Sequence, residues 1–360
     1  MSTADLSLPD RMHGVVLTRT GGPEVLVWRD DLPLPQPGPG EVLIEVGAAG
    51  VNNTDINTRT GWYSKAVAAD SAEGAEGGFA AAQDDGWSGA PFTFPRIQGA
   101  DAAGRIVALG HGVAPARLGQ RVLVEPVFRG PDGTTRYFGS ECDGAFAQYA
   151  LVPAAHAHAI DCALDDAELA SFPCAYSAAL NMLVRAGQGP GERVLVTGAS
   201  GGVGSAAVQL AVARGAHVTA LAGADKLDEV AALGAAEAVA RDTDLIARFG
   251  DNAFDLVIDV VGGAGFPAML RLLRPGGRYA TAGAIAGPLV ELDLRTLYLK
   301  DLSLFGATVL GEGVFAELVG HIAGARIRPL VAATYPLRDI ARAQTDFLAK
   351  RHVGKLVLLP

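Results

Sequence analysis

The stretch Arg193-Val194-Leu195-Val196-Thr197-Gly198-Ala199-Ser200-Gly201-Gly202-Val203-Gly204 decides the fold. A β-branched run feeds a glycine-rich turn, and the turn opens into the helical pattern SAAVQLAVARG from Ser205. Residues without side chains let backbone N–H groups approach a pyrophosphate, and the N-terminus of the following helix adds partial positive charge. Ala199 stands at the first glycine of the fingerprint, which therefore reads A-x-G-x-x-G. The context is right on both sides: a strand before, a helix after and a second strand (AHVTAL, 216–221) about twenty residues on. A plain strand-turn-helix corner would not need that spacing.

Length and composition bound the rest. With 360 residues, 49% of them hydrophobic, the chain can bury a large core in about two domains. Twenty-nine basic residues against 39 acidic give a net charge of −10, which repels phosphate backbones and anionic membrane surfaces. Nucleic acid is thereby excluded as the main partner. The segment MSTADLSLPDRMHG carries Asp5, Asp10 and Arg11 and lacks the apolar core of a signal peptide. The uncharged run Val194 to Ala213 is long enough to suggest a membrane span, but its glycines sit where a turn is needed, so it reads as a buried strand and a buried helix. Three irregularly spaced cysteines, Cys142, Cys162 and Cys174, make neither a disulfide framework nor a four-cysteine zinc lobe, and imply a reducing cytoplasm.

Along the chain, MHGVVLTRTG, EVLIEVGAAGV, GADAAGRIVALG and QRVLVEPVF are short apolar runs bounded by Gly, Pro and Asp, as in a barrel-like β domain. From Asp165 one helical pattern (DDAELASFPCAYSAALNMLVRAG) leads into alternating strands and helices: RVLVTGA, HVTALA, FDLVIDVVGG, GRYATAGA and LSLFGATVL. Such alternation makes a doubly wound parallel sheet whose ligand lies at the carboxyl ends of the strands. After Leu310 one helix (VFAELVGHIAGA), a short extended piece and a final GKLVLLP strand follow, and the last strand needs the first domain's sheet to complete it.

The order of these parts resembles the medium-chain dehydrogenase/reductase superfamily, specifically its zinc-free quinone oxidoreductase and enoyl reductase branch. PGPGEVLIEVGAAGVNNTD, QGADAAGRIVALG, DGAFAQYALVP, TGASGGVGSAAVQLA, LRPGGRYATAG and HVGKLVLLP carry the resemblance over nearly the whole chain. It implies an α/β protein with a GroES-like β-rich catalytic domain (1–160 and 311–360) around a Rossmann cofactor domain (161–310), and an active site in the cleft between them. A homodimer paired through LSLFGATVL is implied on the same ground.

In the zinc-dependent branch, the metal is held by a cysteine in the segment matching GVNNTD, a histidine in a GHE-like segment and a third ligand before the cofactor domain. By that resemblance the positions here are Asn52, Ala100 and Cys174, and only the cysteine survives. Neither an amide nor a methyl group replaces a thiolate or an imidazole on tetrahedral zinc, so no catalytic metal is expected. Cys174 then reads as a small buried hydrophobe. His156 and His158 alternate in PAAHAHAI but lack a third ligand and read as surface or linker histidines. Without a Lewis acid, reduction of a conjugated C=C is the more practical chemistry, because hydrogen-bond donors suffice to hold an enolate and deliver a proton. The segment from Asp55 to Tyr63 resembles the D-I-N-x-x-x-G-x-Y stretch of 2-enoyl thioester reductases, which puts Tyr63 at the proton-donor position. By the same resemblance Asn52 faces nicotinamide and substrate and donates its amide N–H to the developing oxyanion.

For the cofactor, the resemblance assigns Ser200, Gly201, Gly202, Val203 and Gly204 to the phosphate turn, with Ser177, Val260 and Gly283 beside it. No acid stands at the end of the second strand around Leu221 to Ala224, where NAD binders usually carry one for the ribose 2′-hydroxyl. Lys226 matches the lysine that reads the 2′-phosphate in NADPH-dependent quinone reductases and Arg241 falls near a second contact, so NADPH is expected, although Asp225 could pair with Lys226 instead. One segment departs from the family. Residues 64–92 form an insert rich in Ala, Gly and acids (Asp70, Glu73, Glu76, Asp84, Asp85), expected to act as a lid with Trp87, Phe92 and Phe94 as pocket-lining groups. Its acids argue against a substrate with several phosphates. The expected function is NADPH-dependent reduction of a quinone or an α,β-unsaturated carbonyl. The alternatives are a zinc-type alcohol or aldehyde dehydrogenase, and an NADPH-binding protein without turnover.

Overall fold

Six parallel strands form one sheet among the described residues of the computed structural model, which are 8–83, 86–89, 92–130 and 133–360. Asp5, Asp84 and Asp85, named above for their charge, lie outside them. In chain order the strands are Arg193–Val196, His217–Ala222, Glu237–Ala240, Phe254–Asp259, Leu273–Thr281 and Ser303–Gly306. In space they run third, second, first, fourth, fifth, sixth. Val194 pairs with Val218 on one side and Leu256 on the other, so the first strand is central. Val194, Leu195 and Val196 are all fully buried, as the unbroken apolar run requires of a strand covered on both faces. The strand order reverses beside Arg193–Val196, which puts the ligand crevice at the glycine-rich turn that follows it. Two glycines make the turn possible. Gly198 has φ +61°, and a Cβ on Gly204 would fall 2.1 Å from the Gly198 carbonyl oxygen. The run Val194 to Ala213 divides, as read, into a strand and the helix Gly202–Ala213, and no described helix is long and apolar enough to cross a membrane.

The N-terminal region builds a second core around Val42, Leu43, Ile44, Ile106, Val122 and Phe146. Its antiparallel sheet includes Glu41–Gly50, Ala103–Leu109, Arg121–Val124, Tyr149–Pro153 and Ala157–Ala159. The final strand Lys355–Leu359 pairs antiparallel with Glu41–Gly50 through Val357–Gly50 and Leu358–Ala49. That pairing carries Lys355 into the middle of the molecule, where it is 2% exposed.

Local structure departs from the sequence expectations at five places, the first being the strand Glu237–Ala240, which adds a sixth to the five read from the sequence. The single helical pattern after Asp165 is two helices, Asp166–Leu169 and Pro173–Arg185, because Pro173 cannot continue a helix but suits the first turn of a new one. QRVLVEPVF breaks at Pro126 into Arg121–Val124 and Val127–Arg129. The strand expected over Leu302 to Leu310 ends at Gly306. A second helix, Ile340–Leu348, follows the extended piece Val331–Pro336; it buries Ile340, Ala343, Gln344 and Phe347, a stripe with a polar member that hydropathy alone underrates.

Candidate active site

Helix Asn53–Thr60 organises the cleft. Its sequence, NTDINTRT, has no apolar stripe; a capping box makes it, with the Asn52 backbone N–H donating to Asp55 Oδ2 at 2.8 Å, and Gly61 at φ 78° ends it. Two residues later the chain folds Tyr63 back onto the first turn, where its hydroxyl donates to Thr54 Oγ1 at 3.0 Å. Burial pushes the Tyr63 phenol up to about 12, so it holds its proton throughout the neutral range. Burial likewise pushes the Asp55 carboxyl up to about 7, against hydrogen bonds from the Asn52 and Ala100 backbone and the charge of Lys355.

The three positions aligned with zinc ligands come together around Asp101, which is 0% exposed. Asn52 Nδ2 donates to Asp101 Oδ2 at 2.8 Å and to the Gly50 carbonyl at 3.3 Å. The Cys174 backbone N–H donates to Asp101 Oδ1 at 2.6 Å. The Lys355 ammonium donates to Asp101 Oδ2 at 2.7 Å, to the Val51 carbonyl at 2.9 Å and to Asn52 Oδ1. Burial, reinforced by the Asp101 charge, pushes the Cys174 thiol up to about 12. This donor set is an amide, a methyl group (Ala100) and a protonated thiol beside a fixed cation, which does not fit a zinc ion. Among the described residues no group of three or more His, Cys, Asp or Glu is placed to hold a metal.

The phosphate-turn residues Ser200, Gly201, Gly202, Val203 and Gly204 sit at the switch point, and the terminal strand locks onto them. Gly354 N–H donates to the Ser200 carbonyl at 3.0 Å, and a Cβ on Gly202 would lie 3.1 Å from Lys355 Cδ. Val260 closes the fourth strand, its N–H bonded to Thr197 Oγ1 at 3.2 Å. Gly283 lines a cavity of about 530 Å³ with Trp62, Arg185, Thr281, Thr308 and Val309, beyond the carboxyl ends of the last two strands. Ser177 turns inward; it is 1% exposed and donates to the Cys174 carbonyl at 3.2 Å. Arg241 is exposed just past the third strand. A larger cavity of about 790 Å³ lies in the N-terminal region among Met12, Arg29, Arg96 and Tyr149, and none of the site residues lines it.

Lys226 is held in a way the sequence does not suggest. Its ammonium donates to the carbonyl oxygens of Lys350 and His352, the latter at 3.2 Å. Lys350 in turn reaches Asn53 Oδ1 at 3.2 Å. Burial and then the Lys226 charge hold the Lys350 ammonium down to about 8, and burial with the neighbouring lysines holds the His352 imidazole down to about 4. The end of the second strand and the loop before the terminal strand thus form one cation-rich corner. Lys350, His352, Lys355 and Asp101 were all missed by sequence reasoning. Asp101, His352 and Lys355 each lie within a family segment already quoted, and only Lys350 had no signal there.

The insert is built mainly of turns and is tied down at both sides. Phe79 N–H donates to the Thr60 carbonyl at 2.9 Å, the fully buried Arg59 to the Ala75 carbonyl at 3.2 Å, and Ser71 N–H to the Ile285 carbonyl across the cleft at 3.2 Å. Trp87 packs at a tilt against Tyr137 with ring centroids 4.8 Å apart. Phe92 and Phe94 pair with each other at 4.8 Å, and Arg96 lies over Phe92. His156 and His158 share one carboxylate, Glu125, at 3.3 and 3.0 Å. Burial opposes ionisation of Glu125, but the two histidine bonds outweigh it and hold the carboxyl down to about 2.

Two family models match the chain: the alcohol dehydrogenase GroES-like domain over residues 38–161 and the zinc-binding dehydrogenase over residues 202–324. A quinone oxidoreductase of Lama guanicoe is 30% identical, covering 97% of both chains. The acryloyl-coenzyme A reductase of Metallosphaera sedula is 28% identical over 90% of this chain and 93% of its own. A solved structure from Sinorhizobium meliloti 1021, provisionally named an alcohol dehydrogenase, is 46% identical with a TM-score of 0.89, covering 99% of this chain and 98% of that one.

Proposed function

This chain belongs to the medium-chain dehydrogenase/reductase superfamily of nicotinamide-dependent oxidoreductases, and from that premise we propose that it is a zinc-independent, NADPH-dependent reductase of quinones or of the conjugated C=C of α,β-unsaturated carbonyls. One observation carries the reading: the buried Lys355 ammonium, bonded to Asn52 and Asp101, lies where a catalytic dication would need anionic ligands and would be repelled. A bound NADPH supplies the hydride. Tyr63, protonated and beside the helix start, supplies the proton to the α-carbon. Asn52, fixed by Asp101 and Lys355, forms the wall between cofactor turn and substrate. Lys226 and Arg241 hold the 2′-phosphate, Lys226 exchanging its carbonyl partners for the anion. The relatives named for quinone and acryloyl-coenzyme A reduction support this chemistry. The acidic insert favours the smaller substrates among them. We place the enzyme in the cytoplasm as a homodimer; Leu304 on the edge strand and Leu294, Tyr298 and Leu299 on the preceding helix are exposed apolar groups that a second copy could cover.

The test is Tyr63→Phe. Turnover of 2-cyclohexen-1-one is expected to fall about ten- to a thousandfold with NADPH affinity almost unchanged, because ring packing survives and only the hydroxyl is lost. Reduction of 1,4-benzoquinone is expected to suffer less, since its product takes protons on oxygen from water. Full retention of enone turnover would make Tyr63 a packing residue. The alcohol dehydrogenase name of the Sinorhizobium meliloti neighbour favours a second reading, alcohol–carbonyl interconversion, which requires tightly bound metal.

A further inference from the structure

Protons for hydrogen bonding are scarce in this site. Both amide hydrogens of Asn52 are committed, to Asp101 and to the Gly50 carbonyl, and the three of Lys355 are committed to Val51, Asn52 and Asp101. Neither group has a hydrogen left for a substrate oxygen. Tyr63 spends its hydroxyl proton on Thr54 until it reacts.

Tyr137 is different. It ends the short strand Thr135–Tyr137, far in sequence from the other site residues, and its hydroxyl lies 3.0 Å from Cys174 Sγ. Burial first, then the Cys174 contact, pushes the Tyr137 phenol well upward, and the thiol is raised too, so both groups keep their protons at neutral pH. A contact between an O–H and an S–H consumes one hydrogen and leaves the other. When the thiol donates to the phenolic oxygen, the hydroxyl hydrogen of Tyr137 is available to a third group. Tyr137 is itself buried, but Tyr63, Trp87 and Cys174 around it are each only partly buried, and Tyr63 is near enough that ionising both phenols together is disfavoured. Trp87 of the insert packs against the Tyr137 ring at a tilt of 32°.

We infer that Tyr137 is a further catalytic residue, whose hydroxyl donates to the carbonyl oxygen of an α,β-unsaturated substrate as negative charge gathers there. The inference rests on the reading of the site as an enone reductase and assigns the oxygen-binding group within it. Hydride with its electron pair passes from the reduced nicotinamide to the β-carbon. The C=C pair moves to form a Cα=C bond and the carbonyl pair moves onto oxygen, where Tyr137 holds it without giving up its proton. The enolate then takes the Tyr63 proton at the α-carbon, restoring the carbonyl, and Tyr63 regains a proton from water. One hydride and one proton are added to the substrate and the nicotinamide leaves oxidised.

The experiment compares wild type, Tyr137→Phe and Tyr137→His, using NADPH-dependent reduction of 2-cyclohexen-1-one and equilibrium binding of 4-nitrophenolate, an oxyanion that needs no turnover. Tyr137→Phe keeps the ring against Trp87 and is expected to lose about ten- to a hundredfold in kcat and roughly tenfold in phenolate affinity, with NADPH affinity unchanged. Tyr137→His returns a ring N–H to the same wall and is expected to recover part of both losses. Wild-type kcat and phenolate affinity in Tyr137→Phe, or no recovery in Tyr137→His, would overturn the inference while leaving the enone reading intact. A wild-type protein that leaves the enone unreduced would overturn that reading and the inference with it.

Discussion

Among single residues, the places where charges are held decide the chemistry of the site. Lys226 is expected to read the 2′-phosphate, and the structure adds that its ammonium already bridges the carbonyls of Lys350 and His352. Lys226→Ala is therefore expected to weaken NADPH by about ten- to a hundredfold, the worth of a charge-assisted phosphate contact, and NADH by much less. Fluorescence titration with both cofactors checks this, and equal losses would leave Lys226 a strut for the terminal loop. The reach of sequence reading shows in the same group. Asn52 and Tyr63 could be named because each sits inside a local motif, whereas Cys174, expected to be a small buried hydrophobe, is partly exposed with its thiol 3.0 Å from the Tyr137 hydroxyl. Tyr137 could not be named, because TTRYFG has no pattern that marks chemistry and its partner Cys174 is 37 residues away. Lys350 and His352 were hidden for a similar reason: only the pairing of the last strand with Glu41–Gly50 brings them beside the second strand of the other sheet.

Among elements, strong periodicity was legible and polar or interrupted segments were not. Five of the six parallel strands could be read because buried β-branched runs alternate with helices of apolar period, while the short, partly buried Glu237–Ala240 was missed. Helix Asn53–Thr60 escaped because its capping box and tertiary burial make it, not hydropathy, and Pro173 and Pro126 cut elements that hydropathy alone runs together. One link between elements has a measurable pH signature. Glu125, at the end of strand Arg121–Val124, is hydrogen-bonded to His158 and lies 3.3 Å from His156 Nδ1, and the His158 ring meets Phe315 of helix Val314–Ala323 at a tilt with centroids 4.7 Å apart. Its carboxyl titrates lower folded than unfolded, so its contribution is fully present above the unfolded value near 4.5 and is lost as pH falls toward about 2. Glu125→Gln is expected to destabilise the protein by about 1 to 3 kcal/mol at pH 7, with the gap to wild type narrowing below pH 4.5. Thermal unfolding across that range checks it; a gap that is constant or widens in acid would contradict the linkage.

Taken whole, the molecule is a parallel sheet and an antiparallel one that share a buried cluster, and three devices span the join: the terminal strand, whose Lys355 ties Asn52 and Asp101 to the phosphate turn; the cation-rich corner of Lys226, Lys350 and His352; and the insert, which reaches from Thr60 to Ile285. The first of these places a cation and its hydrogen bonds at Asn52 and Asp101, where a zinc-dependent relative would place metal ligands. The architecture was read from the sequence with little loss, but the joining devices depend on long-range pairing that no local pattern records. The claim that follows is that this cleft reduces an activated C=C or quinone with NADPH and without metal. The most direct measurement is NADPH consumption by protein dialysed against a strong chelator, over a panel of 2-cyclohexen-1-one, 1,4-benzoquinone and a simple aldehyde, with metal content determined on the same sample. The account predicts less than stoichiometric zinc, undiminished turnover of the enone or the quinone, and little reduction of the aldehyde. One zinc per chain in the untreated protein, with activity lost on chelation and restored by zinc, would contradict it.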